Sequence, residues 1–280
     1  MALTHFLLFL LCIFLQLGSI LSNKIALLVI DVQNCFLPGG SLAVTEGGHV
    51  IPVINDIRSK FNSSFSLVVL SQDWHCSDHI SFSSQHANTN PFQDIQLLYD
   101  STGSLCDANH NCSEISYNLT QRLWPDHCVM NTSSSELSTN LTHLTSDVII
   151  TKGYNCKVDS YSAFFDNGQF RHTELNQKLK NAGIDTVFVT GLARDYCVYY
   201  TAKDAKMLGY ETYVVLDATR PVDIATGQEA VTDMTNKGIH IINSDDMTFT
   251  LQGLTSGTDY NNTSRLSTLI IVFIISCLFI

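Results

Sequence analysis

The sequence predicts an α/β protein: three α/β/α layers around a mostly parallel sheet of about six strands. Three observations predict it. Short apolar runs recur along the chain, they are nearly continuous in apolar residues rather than alternating, and segments of helical period separate most of them. A continuous run belongs to a strand covered on both faces, as in a parallel sheet between helices. Strands alternating with helices imply right-handed crossovers. With 280 residues, 45% of them hydrophobic, the chain suits one compact domain plus flanking segments.

In order, the strands are KIALLVIDV (Lys24–Val32), FSLVVLSQD (Phe65–Asp73), DVIITKG (Asp147–Gly153), DTVFVTG (Asp185–Gly191), ETYVVLD (Glu211–Asp217) and HIIN (His240–Asn243). The helices are VIPVINDIRSKF, TELNQKLKNAG, DYCVYYTAKDAKMLG and GQEAVTDMTNKG, the last three ending in a Gly suited to a left-handed cap. The polar stretch from His86 to Ser146 lacks clear periodicity and is expected to be a surface and active-site insert in a domain spanning residues 23–250.

Both ends add further segments. MALTHFLLFLLCIFLQLGSILS has an apolar run from Phe6 to Leu17 followed by small residues, so residues 1–22 are expected to be a signal peptide, although its start has His5 and no Lys or Arg. The tail LSTLIIVFIISCLFI, residues 266–280, is shorter than the about 20 apolar residues of a spanning helix. Residues 251–265 form a polar spacer, with Ser256-Gly257-Thr258 as an attachment site. The pattern is that of a GPI signal, so membrane contact is expected through a lipid anchor at the cell surface. A single spanning helix is the alternative.

The sequons at Asn62, Asn111, Asn118, Asn131, Asn140, Asn261 and Asn262 suit an exported glycoprotein. Removing Cys12 and Cys277 with the end segments leaves an odd number of cysteines, so one thiol stays free or pairs between chains. Formal net charge is −11, from 26 acidic and 15 basic residues, with no run of Lys or Arg. Nucleic acid needs clustered positive charge, so the expected partner is a small molecule. Nothing in the sequence sets an oligomeric state.

Open α/β sheets bind ligands at the carboxyl ends of their strands. Asp31 follows the first strand there, Asp73-Trp74-His75 the second, Lys152 the third, and Gly191 to Cys197 the fourth. Cys197 lies in the first turn of a helix, where backbone N–H groups lower a thiol pKa and can receive an oxyanion. Asp31 ends an apolar strand, where a carboxylate is costly without a partner. Each has an ordinary alternative: a buried structural cysteine, a loop-capping Asp31, a surface Lys152. All three at one sheet edge are harder to dismiss. Asp73 and His75, two apart, point to the same side of an extended chain, and LWPDHC offers His127 as a third ligand for zinc or a similar divalent ion.

DVQNCFLPGGSLAV, DWHCSDHISF, LWPDHCV, Lys152-Gly153 with VDSYSAF after it, and GLARDYCV followed by TAKDA resemble nicotinamidases of the isochorismatase-like cysteine hydrolase superfamily, in family order from about Lys24 to Asn243. The resemblance implies the isochorismatase-like hydrolase fold and a triad of Cys197, Asp31 and Lys152. It implies a divalent metal ion, zinc foremost, on Asp73, His75 and His127. A cis Leu192–Ala193 bond would turn the Ala193 and Cys197 N–H groups into an oxyanion hole. Phe36, Trp124, Tyr161 and Tyr196 would line the pyridine pocket. The activity implied is hydrolysis of nicotinamide to nicotinate and ammonia through a cysteine thioester.

Two positions depart from the family: Cys35 stands for its usual acid after DVQN, and Cys76 for its usual proline after DWH. Two unusual cysteines on loops after neighbouring strands are expected to form one disulfide, Cys35–Cys76. Cys106–Cys112 is the next pair, Cys128–Cys156 follows by elimination, and Cys197 stays free. Two other functions remain: a related small-amide hydrolase, which has less use for a metal trio, and an inactive surface binding module, which need not retain Asp31, Lys152 and Cys197 together.

Overall fold

The computed structural model describes residues 23–108 and 110–256. The signal segment, the apolar tail, most of the spacer and the sequons at Asn261 and Asn262 lie outside them. One compact unit runs from Lys24 to Ser244. Its strands are β1 (Ile25–Ile30), β2 (Phe65–Asp73), β3 (Asp94–Tyr99), β4 (Tyr117–Arg122), β5 (Val148–Lys152), β6 (Thr186–Leu192), β7 (Glu211–Arg220) and β8 (His240–Ile242). Its helices are α1 (Val50–Phe61), α2 (Leu175–Ala182), α3 (Cys197–Met207) and α4 (Ile224–Asn236).

Each of the six apolar runs is a strand of one sheet, ordered β5-β2-β1-β6-β7-β8 and parallel at every pairing. Every residue of β1 and β6 is buried, as two-sided coverage requires. Gly183, Gly209 and Gly238, past the ends of α2, α3 and α4, all take positive φ. The chain steps one way from β1 to β2 and the other way from β6 to β7. Right-handed connections therefore put α1 on one face of the sheet and α2, α3 and α4 on the other. The reversal falls between β1 and β6, so their carboxyl ends flank a crevice of the kind where such sheets bind ligands.

The insert has more order than its sequence suggested. β3 and β4 form an antiparallel hairpin, with Leu97 opposite Leu119 and Tyr99 opposite Tyr117. Leu97 and Tyr99 are buried in a cluster with Ile80 and Val158, from the loops after β2 and β5. That apolar contact seats the hairpin beside the carboxyl edge of the parallel sheet.

The disulfides are Cys35–Cys128, Cys76–Cys156 and Cys106–Cys112, with Cys197 free. The third pair and the free thiol agree with the sequence reading; Cys35–Cys76 and Cys128–Cys156 are corrected. The reason is topological. β2 has two neighbours, and Cys76 leans toward the β5 side, where Ile80 N–H donates to Cys156 O at 2.8 Å. The returning insert fills the β1 side: His75 bridges Val129, Gln33 bridges Leu137, and Gln33 and Gln72 both donate to Ser135 O. Cys35 therefore meets Cys128.

By itself, residues Met247–Ser256 form a helix, α5, reaching into the stretch expected to be a spacer. Met247, Leu251 and Leu254 recur at helical spacing, a signal that the polar residues between them hid.

Candidate active site

Four strand ends meet at one point. Asp31, directly after β1, takes φ 47°, a conformation uncommon outside glycine that turns the carboxylate inward. Its Oδ1 accepts from Ser71 Oγ at 2.6 Å. Its Oδ2 lies 2.9 Å from Lys152 Nζ but accepts no well-directed hydrogen bond, which leaves a lone pair for an incoming proton. Lys152, fully buried at the end of β5, also donates to Asp73 Oδ1 at 2.5 Å, Ser160 O at 3.0 Å and Cys197 Sγ at 3.4 Å. Cys197 opens α3, and its sulfur lies within 4.8 Å of carboxylate oxygens of Asp31 and Asp73.

Charge divides unevenly among these groups. Burial works against the Lys152 charge, but Asp31 and Asp73 outweigh it and raise the ammonium pKa well above its ordinary value. Burial would likewise raise Asp73, but Lys152 and His75 outweigh it and hold that carboxyl well below the usual range. Burial raises Asp31, and Lys152 offsets this only in part. Burial also pushes the Cys197 thiol well above its ordinary value. The sequence reading expected the helix mouth to lower it; desolvation wins. The resting sulfur is a thiol beside a carboxylate with raised proton affinity.

A second cluster adjoins the first. His75 Nδ1 pairs with Gly153 O at 2.9 Å and His127 Nδ1 with Pro125 O at 2.8 Å. Carbonyls only accept, so both Nδ1 atoms carry protons and both Nε2 atoms face Asp73. These Nε2 atoms lie 3.4 and 3.7 Å from Asp73 Oδ2. Two imidazoles and a carboxylate, oriented by outer hydrogen bonds, suit zinc or a similar divalent ion. His79 stacks on His75 with ring centroids 4.0 Å apart and joins it and Asp159 in a neighbouring group.

Gly153 makes this approach possible. It takes φ +67°, and a Cβ there would lie 2.4 Å from His75 Cε1. Gln33 also tightens the edge: its amide donates to Asp73 O at 2.9 Å and accepts from Asp73 N–H at 2.8 Å.

Above these groups opens a cleft with about 340 Å³ of free space counted out to its mouth. All four aromatics singled out from the sequence line it: Phe36, Trp124, Tyr161 and Tyr196. Asp73, His75, His127, Ala193 and Cys197 line it too, so the two residues expected to receive an oxyanion, the thiol and the metal-type ligands share one space. The Leu192–Ala193 peptide is cis. Trp124 packs edge-on to Tyr196 at 4.7 Å and Tyr161 meets Tyr196 at 5.4 Å, giving a slot for a flat ring.

Several contributors went unread in the sequence. Ser71 was legible as the first polar residue after LVVL in a buried strand. Leu42, Asp159 and Val222 also line the cleft, and no local pattern marks them. The exposed sequon asparagines Asn62, Asn111, Asn118, Asn131 and Asn140 lie outside the cleft lining.

Known proteins resemble the chain over the same region. The family model described as the isochorismatase domain matches residues 25–246. A nicotinamidase of Acinetobacter baylyi is 40% identical over 224 residues, covering 80% of this chain and 94% of the relative. The crystal structure of the yeast nicotinamidase bound to the inhibitor nicotinaldehyde aligns with TM-score 0.71 and 31% identity, over 79% of this chain and 100% of that one. A pyrazinamidase of Pyrococcus horikoshii in complex with zinc aligns with TM-score 0.60 and 30% identity, over 79% and 99%.

Proposed function

The chain belongs to the isochorismatase domain family, and on that premise we propose that it is an amidohydrolase converting nicotinamide to nicotinate and ammonia. One observation carries the reading: the buried Cys197 thiol in the lining of an aromatic cleft meets the Lys152 ammonium, which pairs with Asp31 beneath it, and the same lining presents His75, His127 and Asp73 together. Nicotinamide is flat, neutral and small, so aromatic walls can hold its ring while the carboxamide reaches the sulfur.

Asp31 Oδ2 accepts the Cys197 proton as the sulfur attacks the amide carbon. Lys152 favours the thiolate formed and keeps Asp31 in place. The tetrahedral oxygen rests on the Ala193 and Cys197 N–H groups, each worth roughly 3–4 kcal/mol in such sites. Asp31 returns the proton to the departing nitrogen, and the S–C bond remains as a thioester. Water, deprotonated by Asp31, then releases nicotinate and restores the thiol. Asp73, His75 and His127 would hold a divalent ion, zinc foremost, which when bound supplies a Lewis-acid contact for the pyridine nitrogen. Measuring ammonia release from nicotinamide by the purified protein tests this, and no release from nicotinamide would overturn it.

The reading extends to location: a secreted, glycosylated, GPI-anchored surface enzyme. Six cysteines paired in three disulfides favour an oxidising compartment. Phosphatidylinositol-specific phospholipase should release the protein from expressing cells. Retention, while a known GPI-linked control is shed, would favour a spanning segment instead.

A further inference from the structure

We infer that Cys35–Cys128 and Cys76–Cys156 are positioning devices for the metal-type ligands, so that retention of the ion depends on the oxidation state of these four cysteines. The inference rests on the proposed reading that Asp73, His75 and His127 hold a divalent ion.

The first observation is sequence adjacency. His75 immediately precedes Cys76, and His127 immediately precedes Cys128. The second is where each bridge lands. Cys156 lies four residues past Lys152, and Cys35 four residues past Asp31. Each bridge thus ties a histidine loop to the end of a strand that carries a triad residue. Cys35 also immediately precedes Phe36 in the cleft wall.

What else restrains the ligands decides how much the bridges matter. Asp73 is the last residue of β2, paired in register with Lys152, so the sheet itself places it. His75 has its ring bond to Gly153 O and a main-chain bond from its N–H to Cys128 O at 3.1 Å. His127 belongs to the insert, outside the parallel sheet, and its ring bond is to Pro125 of the same loop. The two histidine loops hold each other, through His75 N–H to Cys128 O and Met130 N–H to His75 O. The bridges fix that pair at both sides, to β1 through Cys35 and to β5 through Cys156. Cys106–Cys112 only closes the hairpin tip and touches none of these residues, which makes it an internal control.

Accessibility separates the bridges. Cys35 and Cys128 are buried, whereas Cys76 and Cys156 are partly exposed. A reductant should therefore open Cys76–Cys156 before Cys35–Cys128. Each opening consumes one dithiothreitol, which gives up two electrons and two protons, closes to its cyclic disulfide and leaves two protein thiols.

The test measures zinc extraction by a chelator from zinc-loaded oxidised protein and from three paired variants, all below their unfolding temperatures. Cys76→Ser/Cys156→Ser and Cys35→Ala/Cys128→Ala should lose zinc roughly 10–100-fold faster, the scale seen when groups that orient ligands are removed. Cys106→Ser/Cys112→Ser should match wild type. A folded variant lacking either loop bridge that shows lower thermal stability but an unchanged zinc release rate would overturn the inference, since a purely structural brace acts that way. If a variant fails to fold, wild-type protein is titrated with dithiothreitol while mass spectrometry follows each bridge. Zinc release coinciding with opening of Cys76–Cys156 supports the inference; zinc retained after that opening, or release tracking Cys106–Cys112, overturns it. Oxidised protein that takes up no zinc or other divalent ion would instead refute the metal reading, and this inference with it.

Discussion

Two regions of the molecule supply the same cleft by different routes. The strand ends supply Asp73 and Lys152, register partners in the parallel ladder, with Asp31 directly after β1 and Cys197 reached through the β6–α3 turn. The insert supplies Trp124 and His127 from a chain segment that the sheet does not align, held by a hairpin, the Cys35–Cys128 bridge and scattered main-chain bonds. The proposed nucleophile and its base thus stand on sheet-aligned elements, whereas Trp124 and His127 depend on loop contacts for their placement. Strand-end substitutions should then stop the reaction, whereas insert substitutions should loosen metal or substrate.

The largest effect should come from Cys197→Ala, which removes the proposed nucleophile and leaves only a small void. Turnover should fall to background with the fold intact by circular dichroism, and activity above a few per cent of wild type would remove the thiol from the mechanism. Asp31→Asn should cost about 10²–10⁴-fold in kcat, the usual worth of a positioned base. A variant near wild-type rate would show that the thiol loses its proton elsewhere. On the insert, His127→Ala should lower zinc content and raise KM more than it lowers the melting temperature. If kcat alone collapsed while zinc stayed bound, the division between the two regions would be wrong.

The same division explains what could be read from sequence. β1 and β6 were legible because burial on both faces imposes continuous apolar runs; the edge strands β5 and β8 are partly exposed yet keep short apolar runs, and the candidate site residues stand just after the runs. The hairpin was less legible because only one face is buried: Ile95, Leu97 and Tyr99 alternate, but Leu98 interrupts the pattern and residues 100–116 separate the partners. The disulfide partners failed for a related reason. Pairing Cys35 with Cys76 assumed that loops after adjacent strands must touch, while the insert that comes between them has no periodic signal. Gln33 acts through tertiary hydrogen bonds, which local sequence does not encode, whereas Ser71 left a signal as the first polar residue after LVVL.

The smallest predicted effect tests the strand-end region most finely. Ser71 lies within β2, donates to Asp31 Oδ1 at 2.6 Å and accepts from the Asp31 N–H at 3.2 Å. The other charged or titratable groups around Asp31 are Lys152, Asp73 and Cys197. A hydrogen bond donated to a carboxylate favours its ionised form, so Ser71 lowers a pKa that burial has raised. Ser71→Ala removes that donor while Lys152 stays, and the Asp31 pKa should climb further. Asp31 must be ionised to accept the thiol proton, so kcat/KM falls on the acid side as pH drops through this pKa. The acid limb should therefore lie above the ordinary carboxylate range in wild type and move to still higher pH in Ser71→Ala. A lost bond to a charged group is worth about 1.5–3 kcal/mol, or roughly one to two pH units. Above the shifted limb the variant should keep most of its rate, because the nucleophile and its donors are untouched. A uniform loss of rate at every pH, with the limb unmoved, would mean that Ser71 shapes the strand rather than the proton affinity of Asp31.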